Sequence, residues 1–256
     1  MSQRVFITGA SSGIGAALAR HYVARGAVLG LVARHGAALD ALLAELPGEH
    51  AAYPADVADG PALRAAAGDF VARFGLPDVV IANAGVSVGT LTEEQGDLAA
   101  FERVMHTNVL GMVTTFQPFV ASMRARGSGR LVGIASVAGI RGLPGAGAYS
   151  ASKAASIAYL ESLRVEMRGS GVQVVTIVPG YIDTPMTAVN RYPMPFMLSA
   201  DEAARRFVSA VDAGAGYTVI PWQMGVVAKL LRVLPNAIFD RAFARAGRKP
   251  RGLLDE

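Results

Sequence analysis

The sequence predicts an α/β fold: a single domain over 1–256, built on one doubly wound parallel sheet with helices on both faces. Three observations predict it. Short apolar runs alternate with segments of helical periodicity through the first 180 or so residues, and no shift in composition marks a second domain. The run Val79-Val80-Ile81-Ala82 is continuously apolar, as expected for a strand buried on both faces of a parallel sheet. The chain is 52% hydrophobic and only 17% charged, which supplies a large core and excludes disorder.

Val5-Phe6-Ile7 reads as the first strand, and Ile14, Leu18 and Tyr22 recur at helical spacing over 14–25. Between them lies Thr8-Gly9-Ala10-Ser11-Ser12-Gly13-Ile14-Gly15, with glycines where a backbone must approach a phosphate and where the helix must sit close to the strand. Free amides and the helix dipole at this turn favour a pyrophosphate, so Gly9, Ser11, Ser12, Gly13, Ile14 and Gly15 are candidate cofactor contacts. A second strand over 27–32 and a helix over 37–46 complete a β-α-β unit. In dinucleotide folds an acidic side chain after the second strand binds the adenosine ribose, whereas arginine accommodates a 2′-phosphate. Ala33-Arg34 occupies that place, which favours NADP(H) over NAD(H).

A third strand over 51–57 brings Asp56 and Val57 to the rim where an adenine edge would lie. A helix follows over 61–74, with Pro61 suited to its first position. The fourth strand stops at Asn83-Ala84-Gly85. Helical periodicity then runs over 98–123 with Asn108 inside it, among Val104, Val109, Val113 and Phe116, and a buried asparagine must find partners. The next strand, 130–136, ends on Ser136. A glycine-rich loop over 139–147 leads into a helix to 167, and a strand over 172–178 breaks at Pro179-Gly180.

Tyr149 and Lys153 open that helix one turn apart on one face. A lysine beside a tyrosine favours the phenolate and draws its pKa toward the range of a proton-transfer catalyst. The pattern alone is equally that of an ordinary helix surface, so its meaning depends on what surrounds it.

With these motifs in order, residues 4 to 190 resemble the short-chain dehydrogenase/reductase family, whose fold is Rossmann-like. The Thr8-to-Gly15 turn matches the family's T-G-x-x-x-G-x-G, Asn83-Ala84-Gly85 its N-A-G, and Asn108, Ser136, Tyr149 and Lys153 its catalytic four. Pro179-Gly180 with Ile182 and Thr184 matches the loop that closes on the nicotinamide. Ala82 stands where a second asparagine is more usual. Ser12 stands where some NADP-binding members carry Lys or Arg, which leaves Arg34 as the discriminator of the phosphate.

The resemblance implies hydride transfer between nicotinamide and a carbonyl carbon. Tyr149 would exchange the proton, Lys153 would tune that phenol and hold the cofactor ribose, Ser136 would bond the substrate oxygen, and Asn108 would anchor Lys153 through water. The expected activity is reduction of a hydrophobic ketone or aldehyde, or oxidation of the corresponding secondary alcohol, in a homodimer or homotetramer. A non-catalytic NADP(H) sensor is the alternative, although a sensor has no need of Tyr149, Lys153 and Ser136 together.

With no cysteine and four scattered histidines (His21, His35, His50, His106), no metal role is expected. A first strand that runs straight into the glycine turn leaves no room for a signal peptide, and no run reaches 18 apolar residues, so a cytoplasmic location is expected. No nucleic-acid motif is present. Residues 181–198, rich in Pro and Met, read as a substrate lid. Ser199 and Glu202 predict a capping box and Tyr217–Pro221 a last strand. The extension over 224–256 reads as amphipathic and basic. Val227, Leu230, Leu231, Leu234 and Ile238 share one face, Lys229, Arg232 and Asn236 face away, Pro235 divides the helix, and Arg241, Arg245, Arg248, Lys249 and Arg251 follow. Its apolar face is expected to lie against the substrate lobe or a second subunit, the alternative being peripheral contact with the inner face of a membrane near Trp222.

Overall fold

The computed structural model describes residues 2–244 and 246–252. Nine strands alternate with ten helices among these residues. The first half contains β1 (Arg4–Thr8), α1 (Gly13–Val23), β2 (Val28–Ala33), α2 (Gly36–Glu45), β3 (Ala51–Pro54), α3 (Gly60–Phe74) and β4 (Val79–Ala82). After α4 (Asp97–Met105), α5 (Gly111–Arg126), β5 (Gly129–Ile134), α6 (Gly147–Glu166) and β6 (Val172–Pro179) come the short β7 (Ile182–Asp183), α7 (Pro185–Ala188) and β8 (Leu198–Ser199). The chain ends in α8 (Ala200–Asp212), β9 (Tyr217–Ile220), α9 (Trp222–Val233) and α10 (Asn236–Phe243).

Seven strands form one parallel sheet in the order β3-β2-β1-β4-β5-β6-β9. Its two faces carry separate cores. Ile7, Leu18, Leu29, Leu39 and Phe207 bury α1, α2 and α8 on one side. Phe6, Phe70, Phe116, Phe119 and Leu160 bury α3, α5 and α6 on the other. Winding reverses between the adjacent β1 and β4, which opens a crevice at the carboxyl ends of the strands.

Three local features depart from the sequence reading. The helix expected over 98–123 is interrupted by a π-helical turn at His106–Leu110 that holds Asn108, and apolar periodicity runs across it without a break. Only half of the capping box forms: Ser199 Oγ accepts the Glu202 N–H, but the Glu202 carboxylate is taken by Arg205 and Arg206. Pro235 does divide the last helix. Of the face expected to be covered, however, Leu230 (58% exposed) and Ile238 (57%) point to solvent, and Met224, Gly225 and Ala228 are the buried positions of α9.

Candidate active site

The crevice at the switch point is a cleft of about 550 Å³, and every strand end of the central sheet from β1 to β6 contributes to its wall. At its base, β1 hands over to α1 through backbone contact. A Cβ on Gly9 would lie 2.7 Å from Ala84 Cα, and one on Gly15 would fall on the Gly9 carbonyl oxygen, so only glycine lets the turn, α1 and β4 meet. Gly13 has φ +51°, and a Cβ there would press on Thr184 at 3.1 Å. Ser12 is the N-cap of α1 but its hydroxyl makes no capping bond, and no acidic residue occupies the first turn. The hydroxyl and the leading amides are left to face an anion from Ser11, Ser12, Gly13 and Ile14, all of which line the cleft. This cradle fits a dinucleotide pyrophosphate.

Asn83 works through the turn. Its Nδ2 donates to the carbonyls of Thr8 (3.1 Å) and Gly9 (3.0 Å), and its own N–H donates to Thr8 Oγ1, so it staples β4 to the glycine loop. Ala84 and Gly85 continue the wall. At the adenosine end Arg34 is exposed beside Asp56 and Val57. The third strand stops at Pro54, so Asp56 sits in the following loop, where it accepts the Ala58 N–H. Val57 is buried against Gly111 and its carbonyl accepts the Thr114 hydroxyl. Pro179, Gly180, Ile182 and Thr184 close the opposite wall, and Thr187 Oγ1 holds the Thr184 N–H at the start of α7.

Ser136, Tyr149 and Lys153 converge at the reacting end. Ser136 starts a 3-10 turn, its Oγ accepts the Ala138 N–H, and its hydroxyl faces the Tyr149 phenol closely enough to lower that group's pKa. Gly139 lets that turn ride on the backbone of α6 at Lys153. Lys153 is buried; its Nζ donates to the Ile134 carbonyl (2.9 Å) and lies 5.8 Å from the centroid of the Tyr149 ring.

Burial pushes the Tyr149 pKa up, and the Ser136 hydrogen bond offsets part of the rise. Burial also brings Lys153 down to about 8. The sequence reading had Lys153 lowering the tyrosine. In this structure the net shift of Tyr149 is upward, burial is its largest cause, and the group that opposes it is Ser136.

The direct hydrogen bonds of Asn108 go to the loop after β4 and to α6. Its Oδ1 accepts the Val86 N–H (2.8 Å), and its Nδ2 donates to Val86 O and Ser152 Oγ, both at 2.9 Å. It therefore locks the loop after β4 onto α6 one residue from the lysine. A Cβ on Gly85 would sit 3.2 Å from Asn108 Oδ1 and 3.6 Å from Lys153 Nζ, so this glycine keeps a gap between the two polar groups.

Among the expected site residues, Gly15 and Asn108 stand behind the wall and the others line it. Sequence reasoning missed Arg103 and Thr107, which also line it. They stand one helical turn apart just before Asn108, a spacing that marked them as facing the same way.

Two of the C-terminal cations are engaged by the rest of the protein. Lys249 is buried and its Nζ donates to Met186 O (2.8 Å), and Arg251 pairs with Asp97 (2.8 Å) and Glu94 (3.0 Å). Arg245 lies outside the described residues. Arg141, another residue the sequence reading passed over, donates to the carbonyls of Leu231 and Leu234 and to Asn236 Oδ1, and its guanidinium stacks on Phe239 at 3.9 Å. The loop before Tyr149 thereby holds the corner between α9 and α10.

A parallel sheet with a phosphate-binding turn at its switch point and a tyrosine–lysine pair at the far end of the crevice defines a nucleotide-dependent oxidoreductase. Residues 3–194 match the family model described as short chain dehydrogenase, and the chain belongs to the short-chain dehydrogenase family, which binds a nicotinamide cofactor. An uncharacterized oxidoreductase of Myxococcus xanthus is 38% identical over 251 residues, 96% of this chain and 98% of the relative. A 2-dehydro-3-deoxy-L-rhamnonate dehydrogenase (NAD(+)) of Sphingomonas is 37% identical over 180 residues, covering 70% of this chain and 72% of that one. The crystal structure of a short-chain dehydrogenase from Streptomyces avermitilis superimposes with a TM-score of 0.79 at 26% identity, over 95% of each chain. Among the described residues no helix is long and apolar enough to cross a membrane.

Proposed function

We propose that the protein is an NADP(H)-dependent oxidoreductase that interconverts a small hydrophobic ketone or aldehyde and the corresponding alcohol. The observation that carries the reading is the convergence of Ser136, Tyr149 and Lys153 in one cleft, with Lys153 buried and its Nζ 5.8 Å from the centroid of the Tyr149 ring. The bound nicotinamide supplies the hydride in reduction and accepts it in oxidation. Tyr149 Oη gives its proton to the carbonyl oxygen as the carbon is reduced. Burial holds the phenol in its protonated form, which suits a general acid in the reducing direction. Ser136 donates to the same oxygen and fixes its distance from Oη. Asn108 acts by positioning the loop and helix that hold Lys153.

Arg34, in the place at the end of β2 where an acidic residue would bind the ribose, supports the phosphorylated cofactor; the Sphingomonas relative's name carries NAD(+), so the preference belongs to this chain's own residues. Apolar substrate is supported by Met186 and Val189 in the wall and by Tyr192, which is close enough to Tyr149 for the two phenols to influence each other's charge. Leu98, Phe101 and Leu110 on the α4–α5 run and Val165 on α6 are exposed on helices that touch each other, and this face supports a homodimer or homotetramer. The membrane surface is left out of this reading, because Lys249 is buried on the Met186 carbonyl and Arg251 is paired with Asp97 and Glu94.

An NADPH-oxidation screen over aromatic, long-chain and steroid carbonyls, with NADH as comparator, tests the reading. Turnover that favours NADPH by about tenfold or more is expected. Absence of turnover across the screen overturns the reductase assignment, and equal use of NADH overturns the part given to Arg34.

A further inference from the structure

We propose that residues 246–252 are a strap that clamps the substrate loop over the reacting end of the cleft and limits the size of the carbonyl compound that reaches Tyr149. The proposal rests on the reading of Tyr149 as proton donor. An exposed segment without helix or strand is ordinarily loose unless tied down. This one is tied to three loops around the cleft at once. Gly247 approaches so closely that a Cβ there would lie 2.7 Å from Tyr192 Cβ, and Lys249 Nζ bonds the Met186 carbonyl, so two points of the loop over 184–197 are held. Arg248 covers Gly145 in the loop that leads to Tyr149, where a Cβ would meet its side chain at 2.9 Å. The Gly89 N–H, in the loop after β4, donates to Pro250 O (2.9 Å), and a Cβ on Gly89 would fall on the Lys249 carbonyl oxygen.

Gly89, Gly145 and Gly247 are thus three positions on three segments where a side chain would push the strap away. Beyond them Arg251 closes the strap with the paired carboxylates of Glu94 and Asp97, and Asp97 is itself held by the Leu91 N–H (2.7 Å). The substrate loop has little else to fix it. Its ends are pinned by the two-residue β7–β8 pair, and Phe196 and Met197 are exposed. Tyr192 is the link to the chemistry: it stands edge-on to Tyr181 at 6.4 Å and within electrostatic reach of Tyr149. A strap that presses on Tyr192 and Met186 therefore sets the room in front of the phenol.

Two full-length variants test this, Arg251→Ala, which removes the closing ion pairs, and Gly89→Val, which places a side chain where the strap's backbone runs. Hydrogen exchange over 185–197 reads the clamp directly, and reduction of cyclohexanone and 4-phenylcyclohexanone with NADPH reads size selection. In both variants exchange over 185–197 should rise about tenfold. The ratio of kcat/KM for the bulky over the small ketone should rise about fivefold or more while NADPH affinity stays within about twofold. Unchanged exchange in both variants overturns the clamp. Faster exchange with an unchanged ratio overturns the control of size. A wild-type protein that reduces no carbonyl would sink the reductase reading, and the exchange result would still decide the clamp.

Discussion

The cofactor half of the cleft and its substrate half are held by different kinds of contact. Around the glycine turn, backbone meets backbone: Gly9 lies on Ala84, Gly15 under the Gly9 carbonyl, and Asn83 stitches the two strands together. Across the substrate half, single cations reach distant acceptors. Arg141 holds the end of α9, Lys249 holds the substrate loop from 63 positions away, and Arg251 reaches Asp97 across 154. The first kind of contact needs a fixed spacing of small residues and so leaves a motif. The second needs only one long side chain within reach, and a lone Arg or Lys in a sequence looks the same whether it is solvated or buried.

The largest effect should come from breaking the backbone contact. Gly15→Val places a side chain on the Gly9 carbonyl and should cost about 3 kcal/mol or more, with loss of NADPH binding, read by thermal unfolding and cofactor fluorescence. A variant that binds NADPH normally would show that the turn tolerates what the geometry forbids. Arg141→Ala leaves the Leu231 and Leu234 carbonyls without their donor and should cost about 2 kcal/mol, with faster hydrogen exchange confined to 222–243 and unchanged cofactor affinity. Loss of cofactor binding in that variant would mean that the two halves are coupled.

Arg34→Asp should move cofactor preference toward NADH by about tenfold, or roughly 1.4 kcal/mol, in a comparison of kcat/KM for the two cofactors. An unchanged preference would make Arg34 a surface residue only. The smallest effect concerns Lys153. Its folded pKa of about 8 lies below the ordinary 10.5, so between those values the unfolded chain binds more protons and stability rises with pH. Urea unfolding of the cofactor-free protein at pH 7.5 and 9.5 should show a gain on the order of 1 kcal/mol that Lys153→Met loses, since Lys249 contributes equally to both proteins. Equal slopes in the two proteins would mean that Lys153 is better solvated than its burial implies.

The strands, the glycine turn and the convergence of Ser136, Tyr149 and Lys153 were all legible in the sequence, because parallel strands and phosphate turns impose local patterns. The turn in which Asn108 sits was not. A π turn inserts one residue into a helix whose apolar spacing on either side stays in phase closely enough to read as one element. Its partners, Val86 and Ser152, are also invisible to spacing. In the C-terminal region Pro235 was read correctly as a break, but the helix before it has two apolar faces. Met224 and Ala228 are buried, and Trp222, Leu230 and Val233 are exposed, so periodicity alone could not choose the covered side. The basic tail was legible as charge and not as a strap, because its acceptors, Met186 O and the carboxylates of Glu94 and Asp97, lie far away in the sequence, where spacing carries no signal.

The account turns on Tyr149 as the group that moves the proton, and Tyr149→Phe tests it most directly. With the best carbonyl from the NADPH screen, kcat/KM should fall about 100-fold or more while the NADPH dissociation constant stays within about twofold. A variant that keeps NADPH binding and turns over within about tenfold of the parent would contradict the account, because the Tyr149 hydroxyl would then not be the source of the proton.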